Sequence, residues 1–307
     1  MRAVVEKGAF RKVTAIDVVA GTVAPLDPEI TTLPSIHSPP ESFTPHIALA
    51  LGTYDSMDDI LAKIGLCPIN ILYRWTHEAC DHVDVYVNGG DPGGWILPPF
   101  GDLLRDLDLM RQYHIIFIPC SNSDTDAALS DPAVLSNIRD YVMAGGKLFV
   151  GDWSYDFIER ALPDFIDFEG DDSVVGSADS LSSAFDTRGR ALDFGLREWL
   201  AAIAEPADGV SIGVNWDCIE GLGTVPGFDE HGNPISITPI PWVAGPITRS
   251  HACMSGNAPL TVIFPNACGR ILYTTSHSMG MESFGNPDLT SQERILLYLI
   301  LEMLSCR

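Results

Sequence analysis

Apolar residues fall in short runs separated by amphipathic segments along the first half of the chain. His46-Ile-Ala-Leu-Ala-Leu51 is an apolar run of strand length, followed by Gly52-Thr53-Tyr54-Asp55-Ser56. The next segment has a stripe of Met57, Ile60, Leu61 and Ile64, which predicts a helix capped by Ser56 and stopped by Gly65. Ile69 to Tyr73 reads as a second strand, and Tyr113-His-Ile-Ile-Phe-Ile118 as the clearest buried strand of the chain. Asp131 and Pro132 open another helix through Val134, Leu135, Ile138, Tyr141 and Val142, which Gly145-Gly146 closes. Lys147-Leu-Phe-Val-Gly-Asp-Trp-Ser154 then carries a strand into a sharp turn and a helix running to Leu162. Strands alternating with helices predict an α/β fold with a parallel, doubly wound central sheet.

Beyond Asp167 the pattern is less regular. Asp171 to Arg190 reads as surface loop, Ala191 to Ile203 as a helix, and Val210 to Trp216 and Ile235 to Val243 as strands. Leu260 to Phe264 and Arg270 to Thr275 form the arms of a hairpin around Asn266-Ala-Cys-Gly269. A final helix follows, capped by Thr290 or Ser291, with Glu293 in its opening turns and Ile295, Leu296, Leu299, Ile300 and Met303 on its apolar side. Residues 1–44, with a weak strand from Val13 to Val23 and then Pro- and Thr-rich sequence, read as an extended N-terminal arm. Residues 45–307 read as one domain with an elaborated insertion at about 166–257.

The composition narrows the functional classes. Forty-one acidic against 18 basic residues give a net charge of −23, a field that repels nucleic acid and anionic membranes. No apolar run reaches membrane-spanning length, and the N-terminus lacks the apolar core of a signal peptide, so the expectation is a cytoplasmic chain without membrane insertion. Seven cysteines without a C-x-x-C pair support neither a zinc knuckle nor a redox pair, and the length supplies a core without staples; free thiols are expected. The expected partner is a small molecule or a protein, with a homo-oligomer open and no cofactor implied.

Strand ends supply the candidate chemistry, because ligands of open α/β sheets bind outside the carboxyl ends of the strands. Asp152, Trp153, His277 and the Tyr54-Asp55 pair each follow a strand and are expected around one pocket. Asp152 reads first as the cap of the helix beginning near Ser154, and Trp153 as a cover over the crevice or a stacking surface. His277 reads as a loop-bonded histidine or as a proton-transfer group. Cys120, Ser121 and Asn122 follow the Tyr113 strand and form a second candidate edge, with Cys120 a possible nucleophile. No preceding histidine, from His37 to His114, carries the His-Gly turn of a caspase-like protease. An oxygen-rich cation site from Tyr54, Asp55, Asp152 and the Asp124-Thr-Asp126 loop lacks a calcium-loop pattern. His77, Cys80, Asp81 and His82 lack a second cluster for zinc and read as surface loop, so no metal is expected.

In order along the chain, these pieces resemble the class I glutamine-amidotransferase-like superfamily, nearest to uncharacterised bacterial members lacking the catalytic Cys. The pieces are the His46 strand with Tyr54-Asp55, the Tyr113 strand, Gly145-Gly146, Gly151-Asp152-Trp153, Gly269-Arg-Ile-Leu-Tyr-Thr-Thr-Ser-His277 and Gln292-Glu293. The resemblance covers about residues 46–165 and 258–306, and implies a flavodoxin-like three-layer sandwich. It places the family's Cys-bearing turn on Asp152-Trp153, its His on His277 and an acidic partner on Glu282, and it replaces the oxyanion loop around Cys120-Ser121-Asn122. With no Cys in the turn, the expectation is a catalytically degenerate protein that binds a small molecule or protein partner, with glutaminase activity unexpected. The alternatives are a hydrolase of a carbohydrate or small amide that uses His277 with Asp152 or Ser154, and a structural subunit of a larger assembly.

Overall fold

Strand β1 (Ile47–Leu51) is buried at every position, as a parallel strand covered on both faces must be. The computed structural model describes residues 1–67, 82–90, 96–121, 126–170, 174–177, 185–247, 256–277 and 288–303. The other strands of the central sheet are β2 (Val83–Val87), β3 (Ile115–Ile118), β4 (Lys147–Gly151), β5 (Phe185–Ala191) and β6 (Asp208–Asn215), then β7 (Ile240–Ile247), β8 (Gly256–Asn266) and β9 (Gly269–Thr274). Their spatial order is β6-β5-β7-β8-β9-β4-β3-β1-β2. From β9 to β2 all neighbours are parallel, whereas β8, β7, β5 and β6 extend the sheet antiparallel. The parallel half has the flavodoxin-like order, whose ligand crevice lies between β1 and β3 where the winding reverses.

The two-residue period of the strands divides the core. In β3, Ile116 and Ile118 join one apolar cluster and Ile115 and Phe117 the other. Helix α1 (Met57–Lys63) covers the second cluster together with α3 (Phe194–Ala202) and α4 (Ser291–Met303), and α2 (Pro132–Met143) covers the first. Asp131 caps α2 as expected, by accepting from Ala133 N–H at 2.9 Å. Thr290 and Glu293 form a reciprocal capping box at the start of α4. The terminal hairpin closes between Asn266 and Gly269.

Several elements depart from the sequence expectation. Ser56 makes no side-chain cap on α1. Strand β2 directly follows the segment read as surface loop, while the Ile69–Tyr73 strand lies outside the described residues. Phe185–Ala191, expected within a polar loop, is a strand, because pairing with β6 and β7 satisfies its backbone although its outward positions are polar. Residues 1–44 carry Arg2–Lys7, Phe10–Ala15 and Ser42–Phe43, which form their own antiparallel sheet and bury Phe10 in the core. Cys67 and Cys218 are disulfide-bonded, against the expected free thiols, whereas Cys120 and Cys268 stand outside any disulfide. Chain length shows only that a core suffices, and it carries no information on pairing.

Candidate active site

Four consecutive parallel strands deliver the site at their carboxyl ends: β1 leads to Asp55, β3 to Cys120, β4 to Asp152 and β9 to His277. Gly52 lets the first of these approach the second, since a Cβ at this position would lie 2.6 Å from the Cys120 carbonyl oxygen. Asp55 Oδ2 then accepts the Cys120 backbone N–H at 2.8 Å, and Tyr54 N–H donates to the Cys120 carbonyl at 3.3 Å. Asp152 takes φ +40° immediately after β4, so the sharp turn read from Gly151-Asp152-Trp153 is present in the backbone. Its side chain does not cap the following 3-10 turn, contrary to expectation. Both carboxylate oxygens instead accept backbone N–H groups from a distant segment, Trp216 to Oδ2 at 2.8 Å and Asp217 to Oδ1 at 3.0 Å. An isolated bridge between Asn215 and Ser276 brings that segment beside His277.

His277 lies between two carboxylates. Nδ1 is 3.6 Å from Asp55 Oδ1, and Nε2 is 3.3 Å from Asp152 Oδ2. The ring is hydrogen-bonded to the Tyr54 backbone, while buried Nε2 lies off the hydrogen-bond line to Asp152 and has no hydrogen-bond partner among the described residues. The Cys120 thiol completes the group: the sulfur, a ring nitrogen and an Asp152 oxygen all lie within 4.8 Å of one another. Cys120, Asp152 and His277 are 0%, 0% and 4% exposed.

Electrostatics follow from this burial. Desolvation lowers the His277 pKa, but the Asp152 and Asp55 carboxylates more than offset it, so the net shift is upward. Desolvation also raises the Asp152 carboxyl above its ordinary value, against the opposing pull of His277. Asp217 is pushed well above the carboxylate range by burial and then by the neighbouring Asp152 charge, and the Tyr273 hydroxyl donates to it at 2.7 Å. The same hydroxyl lies 3.2 Å from the Asp152 carbonyl and braces the turn.

The remaining predicted site residues have varied places. Tyr54 packs edge-on against Trp153 with centroids 5.3 Å apart, and Trp153 packs against Trp216, also at 5.3 Å. Ser154 is buried and donates its hydroxyl to the Pro119 carbonyl at 2.8 Å, which makes it a brace between strand ends. Ser121 holds the β1 and β2 ends, accepting from Thr53 N–H and donating to the Asn88 carbonyl. Asn122 and Glu282 lie outside the described residues, as do His77, Cys80 and Asp81 of the H-x-x-C-D-H cluster and Asp124 of the acidic loop. Sequence reasoning missed Trp216, Asp217 and Tyr273. Their one signal was position, at the end of a recognised strand and inside another.

The expectation of a catalytically degenerate chain is overturned by this geometry. It rested on the missing Cys of the β4 turn, yet a thiol reaches the same point from the neighbouring strand β3. No family model matches the chain, and no curated protein matches it. Among solved structures, Cytoplasmic Protein STM3548 from Salmonella typhimurium is 15% identical with a TM-score of 0.41, over 73% of this chain and 82% of that one. A putative ThuA-like protein from Bacteroides uniformis is 10% identical with a TM-score of 0.43, over 86% and 92%. The beta-galactosidase from Rahnella sp. R3 is 12% identical with a TM-score of 0.39, over 84% of this chain and 32% of that one. Likeness at this level carries no functional argument; the site must carry it alone.

Proposed function

We propose that this chain is a thiol-dependent hydrolase of small acyl compounds, amides or esters, built on an amidotransferase-like sheet. The observation that carries the reading is the convergence of the Cys120 sulfur, a His277 ring nitrogen and an Asp152 oxygen within 4.8 Å. Nucleophile, proton carrier and orienting carboxylate are the three parts of covalent acyl transfer. The carboxylates flank an imidazole and do not face each other across an open sugar subsite, which favours acyl over glycosyl chemistry.

In the proposed cycle the Cys120 S–H proton passes to His277 as the sulfur attacks the substrate carbonyl carbon. The imidazolium returns that proton to the leaving nitrogen or oxygen as its bond to carbon breaks. Water, giving a proton to His277, then cleaves the thioester, and the proton returns to Cys120. Asp55 holds both the Cys120 backbone and the Nδ1 side of the ring, and Asp152 stabilises the imidazolium.

The test is turnover of activated esters and simple amides by the full chain. His277→Ala is expected to cost about 10²–10⁴-fold in kcat/KM, the usual share of a proton-transfer group. Cys120→Ser is expected to lose at least as much, while Ser154→Ala stays within about twofold of the parent because no step uses it. Activity that survives Cys120→Ser unchanged would refute the thiol mechanism.

A further inference from the structure

We propose that Cys120, Asp152 and His277 also form a binding site for one Zn²⁺ ion, and that the bound ion silences the thiol. The second half of this inference rests on the hydrolase reading above; the first half stands on geometry alone. His277 Nε2 and Asp152 Oδ2 are 3.3 Å apart. Two donors placed about 2.0–2.2 Å from a common tetrahedral zinc stand about 3.3–3.6 Å from each other, so this pair already has the edge length of a zinc site. The Cys120 sulfur lies within 4.8 Å of both residues' donor atoms.

Nε2 is a buried nitrogen with no hydrogen-bond partner among the described residues, on a side chain 4% exposed. Its ring is fixed from the other side, by the Tyr54 backbone and by Asp55 facing Nδ1. That is the arrangement in which a carboxylate or carbonyl orients a metal-binding imidazole and sets its tautomer. Thiolate and imidazole donors select zinc over magnesium or calcium. Charge agrees as well: a thiolate and a carboxylate neutralise the ion, and a further carboxylate, Asp55, faces the ring from its Nδ1 side.

Binding is balanced by loss of the thiol proton: Cys120 S–H and Zn²⁺ give a sulfur–zinc bond and a proton released to solvent. The ion then occupies the sulfur lone pair needed for attack and the Nε2 lone pair needed for proton transfer.

The probe is the metal itself on the whole, unreduced 307-residue chain, stripped by a chelator and equilibrated with Zn²⁺ or Co²⁺. One equivalent of zinc is expected to remain after gel filtration. Co²⁺ is expected to show a thiolate-to-cobalt charge-transfer band in the near ultraviolet. Cys120→Ser should lose that band and weaken zinc binding at least 100-fold while circular dichroism reports a folded chain. Cys268→Ser, altered at a half-buried cysteine outside the site, should retain both properties. Asp55→Asn, a positioning change, should weaken zinc binding about 10–100-fold. No retained zinc, a cobalt spectrum without the thiolate band, or full-strength binding by Cys120→Ser would overturn the site. These readouts need no substrate, so they stand apart from failure of the hydrolase reading. Where turnover is observed, zinc removal should raise it, and turnover that requires zinc would overturn the silencing.

Discussion

Asp152 occupies a backbone state at φ +40° that costs an L-residue about 1–3 kcal/mol, so its side chain must compensate. It does so by accepting the Trp216 and Asp217 N–H groups, the second of them fully buried. Asp152→Ala keeps the strain and removes both hydrogen bonds, the buried one to Asp217 N–H at a cost of about 1–3 kcal/mol. Asp152→Asn keeps one acceptor and a residue type that tolerates positive φ. Urea denaturation should therefore rank the parent above the Asn variant and the Asn variant above the Ala variant, and equal midpoints for the two variants would contradict this account. At this scale the sequence showed which residues gather at the strand ends, because each follows a run of apolar residues. It did not show their roles. Asp152 read as a cap from its local context, but its partners lie 64 and 65 residues away and only folding brings them near.

Helices α1 and α4 are joined by an ion pair in which Lys63 Nζ and Glu293 Oε1 are 2.8 Å apart, with each side chain 2% exposed. Removing one partner strands a buried charge. Lys63→Met is expected to destabilise the fold by about 3–5 kcal/mol, and Lys63→Met combined with Glu293→Gln, which preserves the capping acceptor, should recover most of it. Calorimetry of the single and double variants checks the pair. A second pair ties β2 to the entry of β1: His46 Nε2 lies 3.0 Å from Asp84 Oδ2. The Asp84 hydrogen bond raises the His46 pKa above 6.5, and the His46 bond lowers the Asp84 pKa below 3.8. The His46 contribution is whole below about pH 6.5 and is lost as pH rises through its folded pKa; the Asp84 contribution is whole above about pH 4 and is lost as pH falls through its folded pKa. Both groups are partly exposed, so His46→Gln should cost under about 1 kcal/mol, most at about pH 4–6.5 and least outside that window, as thermal melts across pH will show. Elements with dense apolar runs, β1, β3, β4 and α2, were legible because burial on both faces or along one stripe fixes their composition. Strand β5 was not: Phe185-Asp-Thr-Arg-Gly-Arg-Ala191 has few apolar positions, and its partners β6 and β7 define it.

Across the whole molecule, the order of strands and helices carried the flavodoxin-like half of the sheet, while the antiparallel extension depended on long-range pairing that no local pattern encodes. Cysteine pairing was equally hidden, and with Cys67 and Cys218 in disulfides the thiol argument for a reducing compartment falls. A disulfide-exchange reagent added to the native, unreduced and metal-free chain should label half-buried Cys268 quickly and fully buried Cys120 slowly; Cys67 and Cys218 should stay silent in denaturant until a reductant is added. Peptide mapping distinguishes them, and rapid native labelling of Cys120 would contradict its burial. The sheet edge at this site is bridged. The ends of β1 and β9 are three strand spacings apart, about 14 Å at about 4.8 Å per step. Asp55 and His277, which extend from those two ends, nevertheless approach to 3.6 Å. They form a chord across the twisted edge that spans the two strands leading to Cys120 and Asp152. Parting the chord would release the imidazole from its alignment beside the two carboxylates. For the proposed hydrolase, a site opened in that way would be idle, and turnover would wait until the edge had closed again.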